Sequence, residues 1–175
     1  MEWSRRPRIG VMGPSICTPR VAEWACEVGR CIASQGGILI CGGMGGAMEA
    51  AARGAREAGG LTVGILPGSR AADANPYIDI PIVTDMGNAR NAINILSSQA
   101  IIAIDGSYGT LSEIALAMKC GIPVVGLESW KLEPPAGEPA PEIVRATTPE
   151  EAVDTAIRLI RTQVSGSKPG PSNLS

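Results

Sequence analysis

A glycine-containing turn between an apolar run and a helical pattern is the feature of this sequence best suited to chemistry. Residues 101–113 read IIAIDGSYGTLSE, so a buried strand, a turn and a helix start follow one another. Glycine lets the backbone approach a ligand because it has no Cβ atom. The first amides of the following helix lack intrahelical partners and carry the positive end of the helix dipole. The sequence therefore predicts binding of a phosphate or another anion by Asp105, Gly106, Ser107, Tyr108, Gly109 and Thr110.

A purely structural interpretation of the same stretch is a helix cap. Thr110 and Glu113 have the spacing of a capping box, in which the two side chains satisfy amides at the start of a helix. In this interpretation the helix covers residues 111–119, and neither side chain needs a ligand. Both interpretations stay open at the level of these residues alone.

Three other turns of small residues also follow predicted strands. Apolar strands are predicted at residues 8–12, 37–41, 61–66 and 100–104, and each is followed by such a turn. If the strands are parallel, all four turns lie on one edge of the sheet and can line a single site. The predicted ligand-binding residues of the first three turns are Gly13, Ser15, Gly42, Gly43, Gly45, Gly46, Pro67 and Gly68. The GxGxxG and P-loop patterns are absent, which argues against a classical NAD site and a P-loop ATPase.

Arg90 is a second indication of anion binding. It falls in the first turn of a helix predicted at residues 88–98, where a cation opposes the helix dipole. An anion bound between the arginine and the helix start would offset that cost. The structural alternative is a solvated surface arginine that points away. Glu113 and Asp105 are the acids placed to meet the same site.

Composition narrows the classes of function. The chain has 175 residues and a net charge of −2, so it offers no basic field for nucleic acid. It contains no histidine, and its five scattered cysteines form no CxxC pair, so no metal site is predicted. The cysteines indicate a reducing, cytoplasmic environment. The polar first residues do not have the pattern of a signal peptide, and no apolar run has the length of a membrane span.

The alternation of elements predicts the fold. Further strands are expected at residues 78–84, 123–127 and 143–146, with Pro81 indicating an edge or irregular strand. Helices are expected at residues 19–34, 47–58 and 149–164. The nearly all-apolar strands predict a single α/β domain, doubly wound and Rossmann-like, with a mostly parallel sheet and helices on both faces. This domain covers residues 8–164, between a flexible lead (1–7) and a disordered tail (165–175), with a proline-rich surface excursion at residues 131–142.

At these motifs the sequence resembles the LONELY GUY superfamily, long mislabelled "lysine decarboxylase". The resemblance covers about residues 8–165 and rests on the glycine turn at 42–48, the segment GGLTVGILP at 59–67, Arg90, and DGSYGTLSE at 105–113. The superfamily includes cytokinin riboside 5′-monophosphate phosphoribohydrolases and molybdenum-cofactor carrier proteins. The resemblance implies catalytic roles for Arg90 and Glu113, and it makes a homodimer or homotetramer the expected assembly.

Three departures from the hydrolase hallmark PGGxGTxxE and its preceding arginine-lysine pair favour the carrier-like branch. Asp105 replaces the proline, Ser107 replaces the second glycine, and Asn91 replaces the lysine. The first hypothesis is accordingly a carrier that binds a phosphorylated ligand, either a nucleoside monophosphate or a molybdopterin-type cofactor. No cofactor is required, and the molybdenum cofactor enters only as a carried ligand.

The alternative hypothesis is a phosphoribohydrolase that cleaves the N-glycosidic bond of a nucleoside 5′-monophosphate. Glu113 would stabilise the ribosyl cation or position water, and Arg90 would hold the phosphate or orient the glutamate. A lysine decarboxylase is not indicated, because neither Lys119 nor Lys131 is placed like a Schiff-base lysine. A protein with no small ligand would leave the four glycine turns unexplained.

Overall fold

The computed structural model describes residues 6–132 and 142–166. Within these residues strands and helices alternate almost throughout. The short 3-10 helices Ala71–Asp73 and Gly87–Arg90 precede β4 and α3 respectively. The elements are β1 (Arg8–Met12), α1 (Pro19–Ser34), β2 (Ile38–Cys41), α2 (Ala47–Glu57), β3 (Leu61–Leu66), β4 (Ile80–Val83), α3 (Asn91–Ser97), β5 (Ala100–Ile104), α4 (Tyr108–Lys119), β6 (Val124–Leu127), β7 (Val144–Ala146) and α5 (Pro149–Gly166).

All seven described strands form one parallel sheet in the order β4-β3-β2-β1-β5-β6-β7. Residue Gly10 of β1 lies opposite Ile40 of β2 on one side and Ile101 of β5 on the other. The chain therefore builds the sheet outward in one direction from β1 and then returns to continue from β5. The predicted fold, a single doubly wound α/β domain, is confirmed, and β4 is an edge strand as Pro81 indicated.

The two faces of the sheet carry different helices. Alternate residues of β5 show this, since Ile102 and Ile104 belong to one buried cluster, whereas Ile101 and Ala103 belong to the other. The first cluster includes residues of α1, α2 and α5, and the second includes residues of α3 and α4. A strand buried on both faces is apolar at every position, which explains the unbroken run in β5.

Two helices begin elsewhere than predicted. The segment predicted as one helix at residues 88–98 is a 3-10 turn, Gly87–Arg90, followed by the short helix α3. Its asparagine-rich sequence has little intrinsic preference for an α-helix. Helix α4 begins at Tyr108, three residues before the predicted start, because extended Ser107 is its N-cap. The side chain of Ser107 makes no capping hydrogen bond.

The predicted domain limits fall largely outside the described part of the chain. Of the predicted lead, only residues 6 and 7 are described, and Arg6 donates to the carbonyls of Gly36 and Gly37. Most of the proline-rich stretch 131–142 and most of the tail 165–175 also lie outside the described residues, although α5 itself extends through Gly166. No helix among the described residues has the length and apolar character needed to cross a membrane.

Glycine allows α1 and α2 to pack backbone against backbone. A Cβ atom added to Gly29 would lie 1.9 Å from the carbonyl oxygen of Ala51. One added to Gly54 would lie 1.8 Å from the carbonyl oxygen of Cys26. Both distances are far below a normal contact, so the two helices would have to separate to accept a side chain at either position.

We expect Gly29→Ala to lower the free energy of unfolding by about 1–3 kcal/mol, because overpacking outweighs the helix preference of alanine. Gly109→Ala in α4 is the matched control, since its Cβ would meet only Ser107 Oγ at 3.6 Å. The control is expected to be neutral or slightly stabilising. Urea denaturation of both variants measures the effect, and a Gly29→Ala protein more stable than the parent would contradict the packing argument.

Candidate functional site

All four small-residue turns lie at the carboxyl edge of the sheet, as a parallel arrangement requires. A cavity of about 170 Å³ opens there, where the sheet order reverses between β1 and β5. This is the usual ligand position in open α/β sheets. The cavity is lined by Val11, Met12, Gly13, Ser15, Gly42, Met48, Asn88, Arg90, Asn91, Ser107, Gly109, Thr110 and Glu113.

Eight of the residues predicted from sequence lie in the cavity wall, and eight do not. Those in the wall are Gly13, Ser15, Gly42, Arg90, Ser107, Gly109, Thr110 and Glu113. Those outside it are Gly43, Gly45, Gly46, Pro67, Gly68, Asp105, Gly106 and Tyr108. Several of the second group have identifiable structural roles next to the site.

The turn after β2 folds tightly against the turn after β1. Gly46 has a φ of 66°, and a Cβ there would lie 2.4 Å from the carbonyl oxygen of Pro14. The same oxygen accepts a hydrogen bond of 3.0 Å from the amide of Ala47. Gly43 has a φ of 71° and would collide with Leu66 if it carried a side chain. Gly43 and Gly46 therefore allow two protein segments to pack closely. The sequence alone does not distinguish a glycine needed for such packing from one that contacts a ligand.

The turn after β3 supports the segment that carries Arg90. The carbonyl of Pro67 accepts from the amide of Gly87 at 2.9 Å, and that of Gly68 accepts from Asp85 at 3.1 Å. These two bonds fix the chain at the beginning of the 3-10 turn that ends at Arg90. Pro67 and Gly68 therefore influence the cavity through the position of Arg90.

The turn after β5 is shaped by backbone conformation. Asp105 and Gly106 have φ values of 52° and 153°, and the Asp105 carbonyl accepts from Ser129 Oγ at 2.6 Å. A Cβ at Gly106 would lie 2.6 Å from Nε1 of Trp130, so glycine is needed where the indole crosses the turn. Tyr108 projects outward with 83% of its surface exposed.

Arg90 and Glu113 form an ion pair that is mostly withdrawn from solvent. Nη1 of Arg90 lies 3.7 Å from Oε1 of Glu113, and their side chains are 11% and 9% exposed. The alternative of a solvated surface arginine is therefore wrong. Gly42 makes this position available, because a Cβ there would lie 2.6 Å from both Nη atoms of Arg90. The guanidinium consequently packs against bare backbone.

Asn94 is a neighbour of Glu113 that sequence reasoning missed. Its Nδ2 donates to Glu113 Oε1 at 3.1 Å, and the asparagine is fully buried. Because Ser107 is the N-cap of α4 and Thr110 lies inside the helix, the capping-box interpretation of Thr110 and Glu113 is wrong; Glu113 bonds instead to Asn94 in another helix. The available signal was the spacing from Arg90 to Asn94, one turn of a helix, which places both on one face.

Burial sets the protonation tendencies of the pair. It raises the pKa of the Glu113 carboxyl above the ordinary value, and the Asn94 hydrogen bond and the charge of Arg90 partly oppose this. Burial also lowers the pKa of the Arg90 guanidinium, against the effect of Glu113. Since Asn94 and Arg90 both face Oε1, Oε2 is the carboxylate oxygen without a hydrogen-bond partner among the described residues.

The cavity wall contains donors that the described residues do not satisfy. Nε of Arg90 and Oγ1 of Thr110 are both buried without a hydrogen-bond partner in residues 6–132 and 142–166. An unsatisfied buried donor costs about 1–3 kcal/mol. Asn91, also in the wall, donates instead to Ser112 Oγ at 3.0 Å.

Comparison with known sequences identifies the family. The sequence model of the SLOG cluster4 family matches residues 6–154. The chain belongs to the SLOG cluster4 family. This agrees with the resemblance to the LONELY GUY and molybdenum-cofactor carrier proteins.

Two solved structures and one sequence relative illustrate what this SLOG protein is similar to. The molybdenum cofactor binding protein of Rippkaea orientalis is 38% identical with a TM-score of 0.77, over 91% of this chain and 98% of that one. The molybdenum cofactor carrier protein of Chlamydomonas reinhardtii is 37% identical with a TM-score of 0.77, over 89% and 99%.

The sequence relative is a cytokinin riboside 5′-monophosphate phosphoribohydrolase of Mycobacterium tuberculosis. It is 38% identical over 117 residues, which are 62% of this chain and 63% of the relative. The match thus spans less than two thirds of that relative's length.

The raised pKa of Glu113 predicts a specific dependence of stability on pH. The folded protein holds the Glu113 proton more tightly than the unfolded chain, so this group contributes stability at low pH and loses it as pH rises. Relative to Glu113→Gln, the parent should therefore lose stability as pH rises from the ordinary pKa of 4.5 through the higher folded value. Urea denaturation across this range measures the difference.

The control for the loss of one negative charge is Glu23→Gln at an exposed position of α1. The free energy of unfolding of the parent relative to Glu23→Gln should not decrease in the same way as the pH rises. If the parent instead gained stability over Glu113→Gln with rising pH, the pKa of Glu113 would be lowered and not raised.

Proposed function

We propose that this SLOG protein binds a phosphorylated, nucleotide-like ligand at the β1/β5 cavity and releases it unchanged, as a carrier does. The observation that carries the proposal is Arg90 itself: it lines the cavity, makes no hydrogen bond within the described residues, and has a buried Nε without a partner. Its planar set of N–H donors matches phosphate oxygens. The ligand class is a nucleoside monophosphate or a molybdopterin-type cofactor, both of which bear a phosphate.

The beginning of α4 adds to the attraction for an anion. Ser107, Gly109 and Thr110 all belong to the cavity wall and surround the first turn of this helix of 12 residues. Free amides and the helix dipole favour negative charge there. Since Glu113 already offsets much of the charge of Arg90, the helix amides are a necessary part of the proposed phosphate site.

Similarity to the two molybdenum-cofactor proteins supports a carrier. The matches cover 91% and 89% of this chain, and 98% and 99% of the two other chains. Carriage requires a site that binds through positioned donors and performs no bond cleavage. Asn91 is consistent with this, because its side chain is occupied by Ser112 and carries no charge.

A second candidate function is hydrolysis of a nucleoside 5′-monophosphate, favoured by the free Oε2 of Glu113. As the C1′–N bond breaks, its electron pair would leave with the base and a cationic ribosyl centre would develop. A carboxylate oxygen near that centre would stabilise the charge or accept a proton from attacking water. The hydroxide would end on C1′ and a proton on the base, which gives free base and ribose 5-phosphate.

Substitution of Gly109 tests anion binding with a matched pair of variants. Gly109→Asp places a carboxylate in the cavity wall at a helix start that favours acids, so the fold should be retained. Gly109→Asn has the same size and no charge. We expect the Asp variant to bind adenosine 5′-monophosphate or molybdopterin about tenfold or more weakly than the Asn variant, by titration calorimetry. Equal affinities would argue against a bound anion at this position.

Base release distinguishes carrier from hydrolase. Incubation with nucleoside 5′-monophosphates, followed by chromatography, should show unchanged nucleotide with the parent protein if it is a carrier. Release of free base that disappears in Glu113→Gln would instead establish the hydrolase. In that case hydrolysis through the free carboxylate oxygen of Glu113, and not binding of an intact ligand, would explain the geometry of the site.

A further inference from the structure

The cavity wall contains one basic and one acidic side chain. Among the described residues that line it, only Arg90 and Glu113 are of a charged type. Nη1 of the arginine lies 3.7 Å from Oε1 of the glutamate, and the two side chains are 11% and 9% exposed. With both groups ionised, the pair has no net charge. An anion that enters the cavity therefore gives the site a net negative charge that little water can screen.

An anion in this cavity lies close to Glu113 as well as to Arg90. A space of about 170 Å³ is too small to separate the anion from either side chain. The first amides of α4 attract an anion without cancelling its charge, because they carry only partial charges. Two negative groups in a place shielded from water repel each other and favour protonation of one of them. Protonation of Glu113 would remove that repulsion and leave the charge of Arg90 to the anion.

Asn94 gives Glu113 a partner in either protonation state. The asparagine is fully buried, and its Nδ2 donates to Glu113 Oε1 at 3.1 Å. Its Oδ1 is buried without a hydrogen-bond partner among the described residues. Because a carboxamide has both a donor and an acceptor, a half-turn of the Asn94 amide would bring Oδ1 to a protonated Oε1. One hydrogen bond between the two side chains is thereby kept when the glutamate gains a proton.

The other groups around Glu113 do not compete for this proton. The thiol of Cys41, at the end of β2, feels the charge of Glu113, but burial raises its pKa to about 11 and keeps it neutral at ordinary pH. Arg90 stays protonated, as arginine does in proteins. β1 contributes only the apolar Val11 and Met12 to the wall, and α3 contributes asparagines. Burial already raises the pKa of Glu113, so a bound anion strengthens an existing tendency.

From this arrangement we propose that the β1/β5 cavity binds its anion together with one proton, which the carboxylate of Glu113 takes up from solution. The carboxylate becomes a neutral carboxyl group, and no bond of the ligand is broken. The ligand is then bound more tightly at low pH and released as the pH rises. This inference rests on the proposed function, because it assumes an anion in the cavity. It adds the proton as a second ligand that controls loading.

Titration calorimetry of the full chain measures the proton uptake. The probes are adenosine 5′-monophosphate and molybdopterin. Each is titrated near neutral pH in Pipes and in imidazole, because protons drawn from buffers with different ionisation enthalpies change the observed heat. The affinity is then followed from about pH 5.5 to 8.5, a range that includes the second pKa of a phosphate ester.

Two variants assign the proton to Glu113. Glu113→Gln has the shape of the neutral carboxyl group and takes up no proton, and comparison with it cancels the titration of the phosphate itself. Glu23→Gln, at an exposed position of α1, is the matched control for the loss of one negative charge. Phosphorus NMR of the bound probe on the parent protein shows independently whether the phosphate gains the proton.

We expect the parent and Glu23→Gln to take up more protons per bound ligand than Glu113→Gln. As the pH rises, the affinity of the parent relative to Glu113→Gln should fall by up to about tenfold per pH unit, the limit for one proton. At the highest pH, Glu113→Gln should bind about tenfold or more tightly than the parent. The phosphorus resonance near neutral pH should be that of the dianion.

Three results would overturn the inference while leaving the anion site in place. The first is the same pH profile for the parent and Glu113→Gln. The second is weaker binding by Glu113→Gln than by the parent at high pH, since the carboxylate would then help to hold the ligand. The third, which is decisive even if Glu113→Gln does not fold, is a phosphorus resonance showing that the phosphate gains the proton. If neither probe binds at any pH, the proposed function itself fails.

Discussion

The ion pair of Arg90 and Glu113 imposes the strictest constraint on this structure. Two opposite charges lie in a place where little water reaches either side chain, and the ions are 3.7 Å apart. Such a pair is stable only if additional groups compensate for lost hydration. Asn94 does this for one carboxylate oxygen, while the arginine is left with donors that the described residues do not satisfy. The pair is therefore electrically balanced and incompletely hydrogen-bonded.

Sheet topology explains why the pair is where it is. The chain leaves β1 toward one end of the sheet and leaves β5 toward the other, so the two following turns diverge and a crevice remains between them. Arg90 and Glu113 come from neighbouring elements on a single face of the sheet. Glycine at position 42 lets the guanidinium reach the crevice from that face. The small residue at position 42 is thus needed to make room for the side chain of Arg90, whether or not a ligand is bound.

Most of the fold could be predicted from the sequence, because apolar strands separated by helical patterns have few arrangements other than a covered parallel sheet. The cavity was predicted less completely. A missing Cβ leaves room either for a ligand or for another protein segment, and Gly43 and Gly46 turned out to serve the second purpose. The burial of Arg90 and the role of Asn94 depend on contacts between separate elements. Local signals such as the Thr110 and Glu113 spacing cannot report such contacts and suggested a cap instead.

A buried pair with one free carboxylate oxygen is compatible with both carriage and hydrolysis, so the pair alone does not decide between them. The difference must come from the groups around it. At Asn91 the neutral side chain bonds to Ser112 in α4 and contributes no positive charge to the cavity. A phosphate at this site would then depend on Arg90 and on the amides of α4. In that arrangement the positive charge of Arg90 would be shared between Glu113 and the phosphate. The more strongly Arg90 attracts the phosphate, the less it compensates the negative charge of Glu113. This competition favours retention of an intact ligand if the ligand's reactive carbon lies away from Oε2. The position of that carbon relative to Oε2 therefore decides whether the site can carry the ligand or cleave it.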